Sequence, residues 1–290
     1  MTTTRPVASV ATGAAPTVPA EPAARPRPRR GRGFSLLRRG RGFLLPFLIL
    51  LVWQLIQARQ VLPTNLLPTP TEVLRTIGTL ASSGELLEHV SITSWRVAQG
   101  FLLGSVAATA LGCLTGVSRT ARDILDPLLQ SLRNIPSLAW VPLFILWLGI
   151  YEPSKVALIA VGAFFPIYLS LSEALLNVDR KLVEVGRMAG FRRPELVHRI
   201  LIPAALPEYV TGLRGGLGLA WMFVVAAEVM GASKGLGFLL VDGQTTGRAS
   251  LILASILLFA VLGKLTDAVL WLLSHRFLQW QDSHSLQGGS

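Results

Sequence analysis

Past residue 42 the chain alternates between long apolar runs and shorter stretches where polar residues, glycine and proline gather. A helix needs about 20 mostly apolar residues to cross a hydrocarbon core about 30 Å thick. Six runs meet that length, at 43–62, 92–117, 127–150, 155–176, 207–230 and 249–273, and they predict six membrane-spanning helices. Pro136, Pro142 and Pro166 are expected to break the third and fourth, tolerable where neighbouring groups or water satisfy the freed carbonyls. The pattern is that of an all-α integral membrane protein.

Composition sharpens this. Only 15% of the 290 residues are charged, against about 25% in an ordinary soluble domain, and 51% are hydrophobic. Residues 1–42 differ: Ala, Pro, Thr and Arg dominate, as in RPRPRRGRG, and such a segment cannot bury enough apolar surface to offset chain entropy. A disordered basic tail is expected there, then a membrane domain over 43–280 and a short polar tail over 281–290. The first apolar run is followed by QARQ rather than a small-residue cleavage site, so it is expected to stay as a helix and not to be removed as a signal peptide. Cys113 and the scattered His89, His198, His275 and His284 supply neither a disulfide nor a metal framework, and Cys113 reads as a small packing residue.

The basic residues give an orientation. Nine Lys and Arg precede Phe43, six lie between the fourth and fifth runs, and Arg119, Arg122, Arg133 and Arg276 fall on the same side if the tail is cytoplasmic. The other side would hold only Arg59, Arg75, Lys155, Lys234 and Arg248. Short loops rich in Lys and Arg stay inside, so both termini are expected to be cytoplasmic. The formal net charge of +11 then belongs to one membrane face and does not argue for nucleic acid.

The connection at 177–206 is the basic stretch with the most local grammar. Asp179 suits an N-cap, and Leu182, Val183, Val185, Gly186 and Ala189 form an apolar stripe that ends at Gly190. Pro194 and Glu195 suit the first turn of a second helix carrying Leu196, Val197, Ile200 and Leu201, with Pro203 and Pro207 expected to break or kink it. A solvated loop needs no apolar stripe; this one predicts a partner.

These residues resemble the cytoplasmic signature of ATP-binding-cassette importer permeases: Glu-Ala-Ala, three residues, Gly, nine residues, Ile, one residue, Leu-Pro. Glu184, Gly190, Ile200 and Pro203 match it, while Val185, Gly186 and Ile202 depart from it with small or apolar character kept. The resemblance continues through LLPTPTEV, SWRVAQGF, RNIPSLAWVPLFILWLGI, GLRGGLGLAW and AAEVMGASKGLG, and is nearest the nitrate, sulfonate and taurine branch, the aliphatic sulfonate permeases above all. It implies a type I importer permease fold, a multi-pass place in the bacterial cell membrane, and ATPase coupling through Glu184, Val185, Gly186, Gly190, Ile200 and Pro203. It further implies a homodimer, two ATPase subunits that bind ATP and Mg, and an extracytoplasmic substrate-binding protein. Aliphatic sulfonate is the expected substrate, with taurine, nitrate or another small molecule of the branch as the alternative.

The chain itself carries no GxxxxGK[ST] phosphate loop: the Gly263-Lys264 pair is followed by Leu265 inside an apolar run. It therefore reads as a passive subunit without a cofactor of its own. An intramembrane hydrolase is excluded, since Ser94, Ser105 and Ser170 have no histidine at matching depth. A secondary transporter would leave the coupling signature without purpose and would be expected to show duplicated halves.

Charges within the runs must face protein or water, which applies to Arg96, Glu173, Arg214, Glu228, Lys264 and Asp267. Arg214 and Glu228 lie about 21 Å apart along one helix, too far to pair, so each needs another partner. They read either as anchors between helices or as pathway and gate residues. Trp140 and Trp221 read either as packing or interfacial residues or as contacts for a substrate alkyl chain. Glycines at spacing four, Gly100 and Gly104, Gly112 and Gly116, Gly212 and Gly216, favour close helix packing.

Overall fold

The computed structural model describes residues 66–277, the helix Leu48–Gln57, and Leu45, Arg59 and Pro63. The expected tails at 1–42 and 281–290, and part of the expected first span, lie outside the described residues. The described chain from Leu50 onward belongs to one compact unit, which holds the helical bundle.

After the first helix (α1, Leu48–Gln57) come α2 (Pro70–Ser83), α3 (Glu85–Val117), α4 (Arg119–Arg133), a 3₁₀ turn at Ser137–Ala139, α5 (Trp140–Leu148) and α6 (Glu152–Leu176). They are followed by α7 (Arg180–Met188), α8 (Arg193–Leu196), a π-helical turn at Val197–Leu201, α9 (Ile202–Val229), α10 (Leu236–Thr245) and α11 (Ala249–Phe277). Four stretches are long and apolar enough to cross a membrane: Glu85–Val117, Glu152–Leu176, Arg193–Val229 and Ala249–His275.

Helix α6 lies at the centre, between α3 and α9. Gly100 faces Ile159, Gly104 the Ala160 carbonyl, Gly112 Leu171 and Gly116 Leu175, in the same chain order, so α3 and α6 run parallel. Ala108, fully buried, completes a row of small residues every fourth position. Without side chains between them the backbones come close: a Cβ on Gly104 would stand 2.5 Å from the Ala160 oxygen. Dispersion over that closely packed face replaces the hydrophobic drive that lipid does not supply. On the other side Gly212 packs on Ser170 and Gly216 on Ile167, while Gly162 receives the ring of Phe223, so α9 runs antiparallel to α6. Polar cross-links complete the core. Thr109 bonds Tyr209 at 2.7 Å, Thr115 bonds Ser172 at 3.3 Å, and Tyr168 donates to Asp126 on α4.

The break expected at Pro136 is present, while other expectations are corrected. The third run, 127–150, is no single helix: α4 starts earlier, from the Ser118 cap, and ends at Arg133. Pro136 accounts for the break, because it lacks an N–H and disfavours helical geometry at Ile135. Pro142 and Pro166, by contrast, sit inside uninterrupted α5 and α6. The break expected at Pro203 is likewise absent. The chain stays helical from Arg193 to Val229, and the π turn at Val197–Leu201 widens the coil just before the residue that has no N–H to donate. The amphipathic α2 and the short α10, which lies against α9 and α11, fall in segments read from sequence as connections.

Candidate functional site

Two places concentrate the chemistry, at opposite ends of the bundle. The first is the segment after α6. Asp179 caps α7, its side chain accepting from the Lys181 N–H at 2.9 Å. Gly190 ends that helix at φ +83°, with its N–H on the Arg187 carbonyl and the Phe191 N–H on the Gly186 carbonyl, a Schellman arrangement that satisfies carbonyls the helix leaves open. Glu195 accepts from the Arg192 N–H at 2.9 Å and Pro194 stands in the first turn of α8.

The expected apolar stripe divides in two. Gly186 is buried, its bare Cα seated against the tips of Leu196 and Ile200, so α7 folds back on the turn that carries Ile200 and leads to Pro203. Leu182, Val185 and Met188 point outward, and Met188 is 88% exposed. Glu184 is exposed and pairs with Arg180 one turn earlier at 2.9 Å. Such an exposed pair contributes little to stability. The sequence-predicted coupling residues are thus gathered on one small unit, with an uncovered apolar face beside Glu184.

The second place joins the start of α3, the start of α6, the end of α9 and the start of α10. Glu228 is 1% exposed, and its carboxylate accepts from Thr93 at 2.8 Å, Arg96 at 2.7 Å and the Gly237 N–H at 2.7 Å. Arg96, 4% exposed, turns its other donors on Glu152 as a two-point clasp at 2.6 Å and 2.6 Å, and also donates to the Lys234 carbonyl. Thr93 accepts from the Leu236 N–H and His89 from the Gly235 N–H, so the N-terminal groups of α10 that lack helical partners are met by α3 side chains. Lys155, buried, reaches Glu152 at 3.4 Å, and Lys234 pairs with Glu88. Carboxylates and cations alternate along this chain of contacts, which is what allows charges to be buried at all.

Arg214 and Glu228 do not meet. Arg214 makes a two-point contact with Asp267 of α11 at 2.8 Å and 3.0 Å, and Glu228 belongs to Arg96. Trp221 is buried, donates to Thr266 at 2.8 Å and stands edge-on to Phe259. Trp140 is half-buried and stacked on Phe144, with an Nε1 that has no partner among the described residues. Sequence reasoning named Arg96 and Asp267 as charges needing partners but could not pair them; it passed over Thr93 and Glu152, and it named His89 only as one of the scattered histidines. The one available signal for Glu152 was an acid at the mouth of an apolar run.

Among the described residues the chain is an all-helical bundle of long apolar helices, packed through glycines and carrying buried charge, of the kind that spans a membrane. The family model described as "Binding-protein-dependent transport system inner membrane component" matches residues 100–279, and the chain belongs to this family. It is 42% identical over 274 residues to a putative aliphatic sulfonates transport permease protein, SsuC, of Bacillus subtilis, covering 94% of this chain and 98% of that one. It is 39% identical over 245 residues to the SsuC of Escherichia coli, covering 84% and 93%. In fold it is similar to the solved inward-facing MetNI methionine ABC transporter, with TM-score 0.58 and 21% identity over 69% of this chain and 97% of that one. The chain is therefore a membrane permease component of an ABC transporter, a transport protein and not an enzyme.

Proposed function

We propose that this chain is the permease of an ATP-driven importer that carries an aliphatic sulfonate into a bacterial cytoplasm across the inner membrane. The observation that carries the reading is the near end-to-end similarity to two permeases named for aliphatic sulfonates. The permease works as a homodimer with six spans per chain and both termini inside. Two ATPase subunits bind ATP and Mg and grip the 177–206 unit, and an extracytoplasmic binding protein delivers the substrate.

The geometry supports a division of labour. The exposed Leu182, Val185 and Met188 give a motor subunit an apolar surface to cover, with Glu184 at its edge, and Gly190 and the Gly186–Ile200 contact hold that surface in place up to Pro203. Movement there passes straight into α9, because the helix is continuous from Arg193. At the far end of α9 Glu228 is clasped to α3 and α10, a natural gate, since rotating α9 must break or carry those bonds. Arg214, Trp140 and Trp221 are the remaining pathway residues in this reading.

Reconstitution with the cognate ATPase and binding protein tests it. ATP-dependent uptake of labelled ethanesulfonate into proteoliposomes is expected. Accumulation of taurine or nitrate in its place moves the assignment within the branch, and full uptake without the ATPase sinks the importer reading.

A further inference from the structure

Helices α9 and α11 carry a second charge cluster whose arrangement suits the proposed cargo. Arg214 commits two donors to Asp267. Lys264, one turn before Asp267, approaches the same carboxylate only at 3.6 Å, and its side chain is 80% exposed. Two cations thus share one acid, and the ammonium of Lys264 has no closer partner among the described residues.

The depth of Lys264 matters. Helix α11 has 29 residues, about 43 Å at 1.5 Å each, so any setting in which it spans a core about 30 Å thick keeps the Cα of Lys264, one residue from its midpoint, within about 8 Å of the middle. A lysine side chain reaches roughly 6 Å, so the ammonium stays within the core in every such setting. At that depth it must face protein or water, not acyl chains. The neighbouring face of α9, in line with Arg214, consists of Thr211, Gly215 and Gly218, all exposed, and nothing lies within 4 Å of where a Cβ on Gly218 would stand. Bulk is missing on that face of α9, which also carries Arg214.

We infer that Lys264, backed by the Arg214–Asp267 pair, is a transit site for the headgroup of a monoanion such as a sulfonate. This rests on the importer reading and adds to it the residue that meets the charge. A sulfonate cannot shed its charge at physiological pH, so its passage needs a cation inside the span. Asp267 keeps Arg214 occupied, which leaves one weakly paired ammonium, enough to attract the headgroup and not enough to trap it.

The test is ethanesulfonate uptake by the reconstituted complex. Lys264→Met, which keeps the stem and removes the charge, is expected to slow uptake by about tenfold with assembly and melting unchanged, while Lys264→Arg stays within about threefold. Uptake by Lys264→Met equal to that of the unmodified protein overturns the inference and leaves the importer reading standing. Loss of assembly in Lys264→Met, or equal loss of uptake in Lys264→Arg, assigns the residue to structure and overturns it too. So does a defect seen in phosphatidylglycerol vesicles that vanishes in phosphatidylcholine, because Lys264 then serves a lipid headgroup. An unmodified complex that imports no anion at all fails earlier, at the substrate reading.

Discussion

The two ends of the bundle are built on opposite principles. Around Glu228 the central charges, Glu228, Arg96 and Lys155, are buried while Glu152 reaches the surface, each carboxylate meets a cation, and four helices are tied through side chains far apart in sequence. Around Glu184 the charges are exposed and paired within one turn, the order comes from caps and a glycine, and the apolar side chains face outward. The first end completes itself. The second is ordered locally but leaves its apolar face unburied, so its energetics are finished only by another chain. A difference of that kind lets one end bear the load of folding while the other stays available for coupling.

Substitutions can break this contrast, beginning with the largest expected effect. Arg96→Ala leaves Glu228 as an unpaired charge with almost no water contact, which should destabilise the permease by about 3–5 kcal/mol in detergent melting. An unshifted melting curve would mean that the network does not hold the bundle. The double change Arg96→Leu with Glu228→Leu removes both charges and should recover much of that loss. Gly190→Pro strikes the other end: proline cannot take φ +83° and has no N–H for Arg187, a local cost of about 1–3 kcal/mol. It should abolish ATPase co-purification while the membrane bundle melts nearly as before; global unfolding would erase the distinction between the ends.

Val185→Asp goes further in separating stability from coupling. The side chain is 63% exposed, so melting should change by less than about 0.5 kcal/mol, yet binding to the ATPase should weaken by roughly tenfold or more. Unchanged binding would remove Val185 from the docking face. The smallest effect is expected from Gly186→Ala. Its new methyl crowds only the flexible ends of Leu196 and Ile200, with the Phe191 ring at ordinary contact distance, and alanine favours the helix by about 1 kcal/mol, so the two terms nearly cancel in a melting measurement. A large loss would show that the close approach at Gly186 is itself required.

Legibility in the sequence follows how local the determining physics is. The α7 cap at Asp179, the stop at Gly190 and the first-turn proline of α8 all depend on residues within one helical turn, and each stands where the sequence places it. The long helices follow for the same reason, from apolar length alone. The third run shows the limit: Pro136 marks its break, but the start of α4 at the Ser118 cap and a nine-residue α5 that keeps Pro142 inside it do not follow from the run's apolar average. At the charged sites the sequence could say that Arg96, Arg214, Glu228 and Asp267 need company in a low-dielectric setting. It could not say which, because Arg96 and Glu228 are brought together by the packing of α3 and α9 against α6 and not by any spacing along the chain.

The order of residues alone was enough for whatever repeats or closes locally: helical class, the length of four of the six predicted spans, the caps of the 177–206 unit and its family signature. Folding in three dimensions chose which charges pair, turned Gly186 inward and Val185 outward, carried α9 unbroken through Pro203, and left Lys264 exposed beside Asp267. The physical reason is that caps and hydrophobic length are properties of a few neighbouring residues. Pairing and exposure, by contrast, are set only once glycine rows let the helices close on one another.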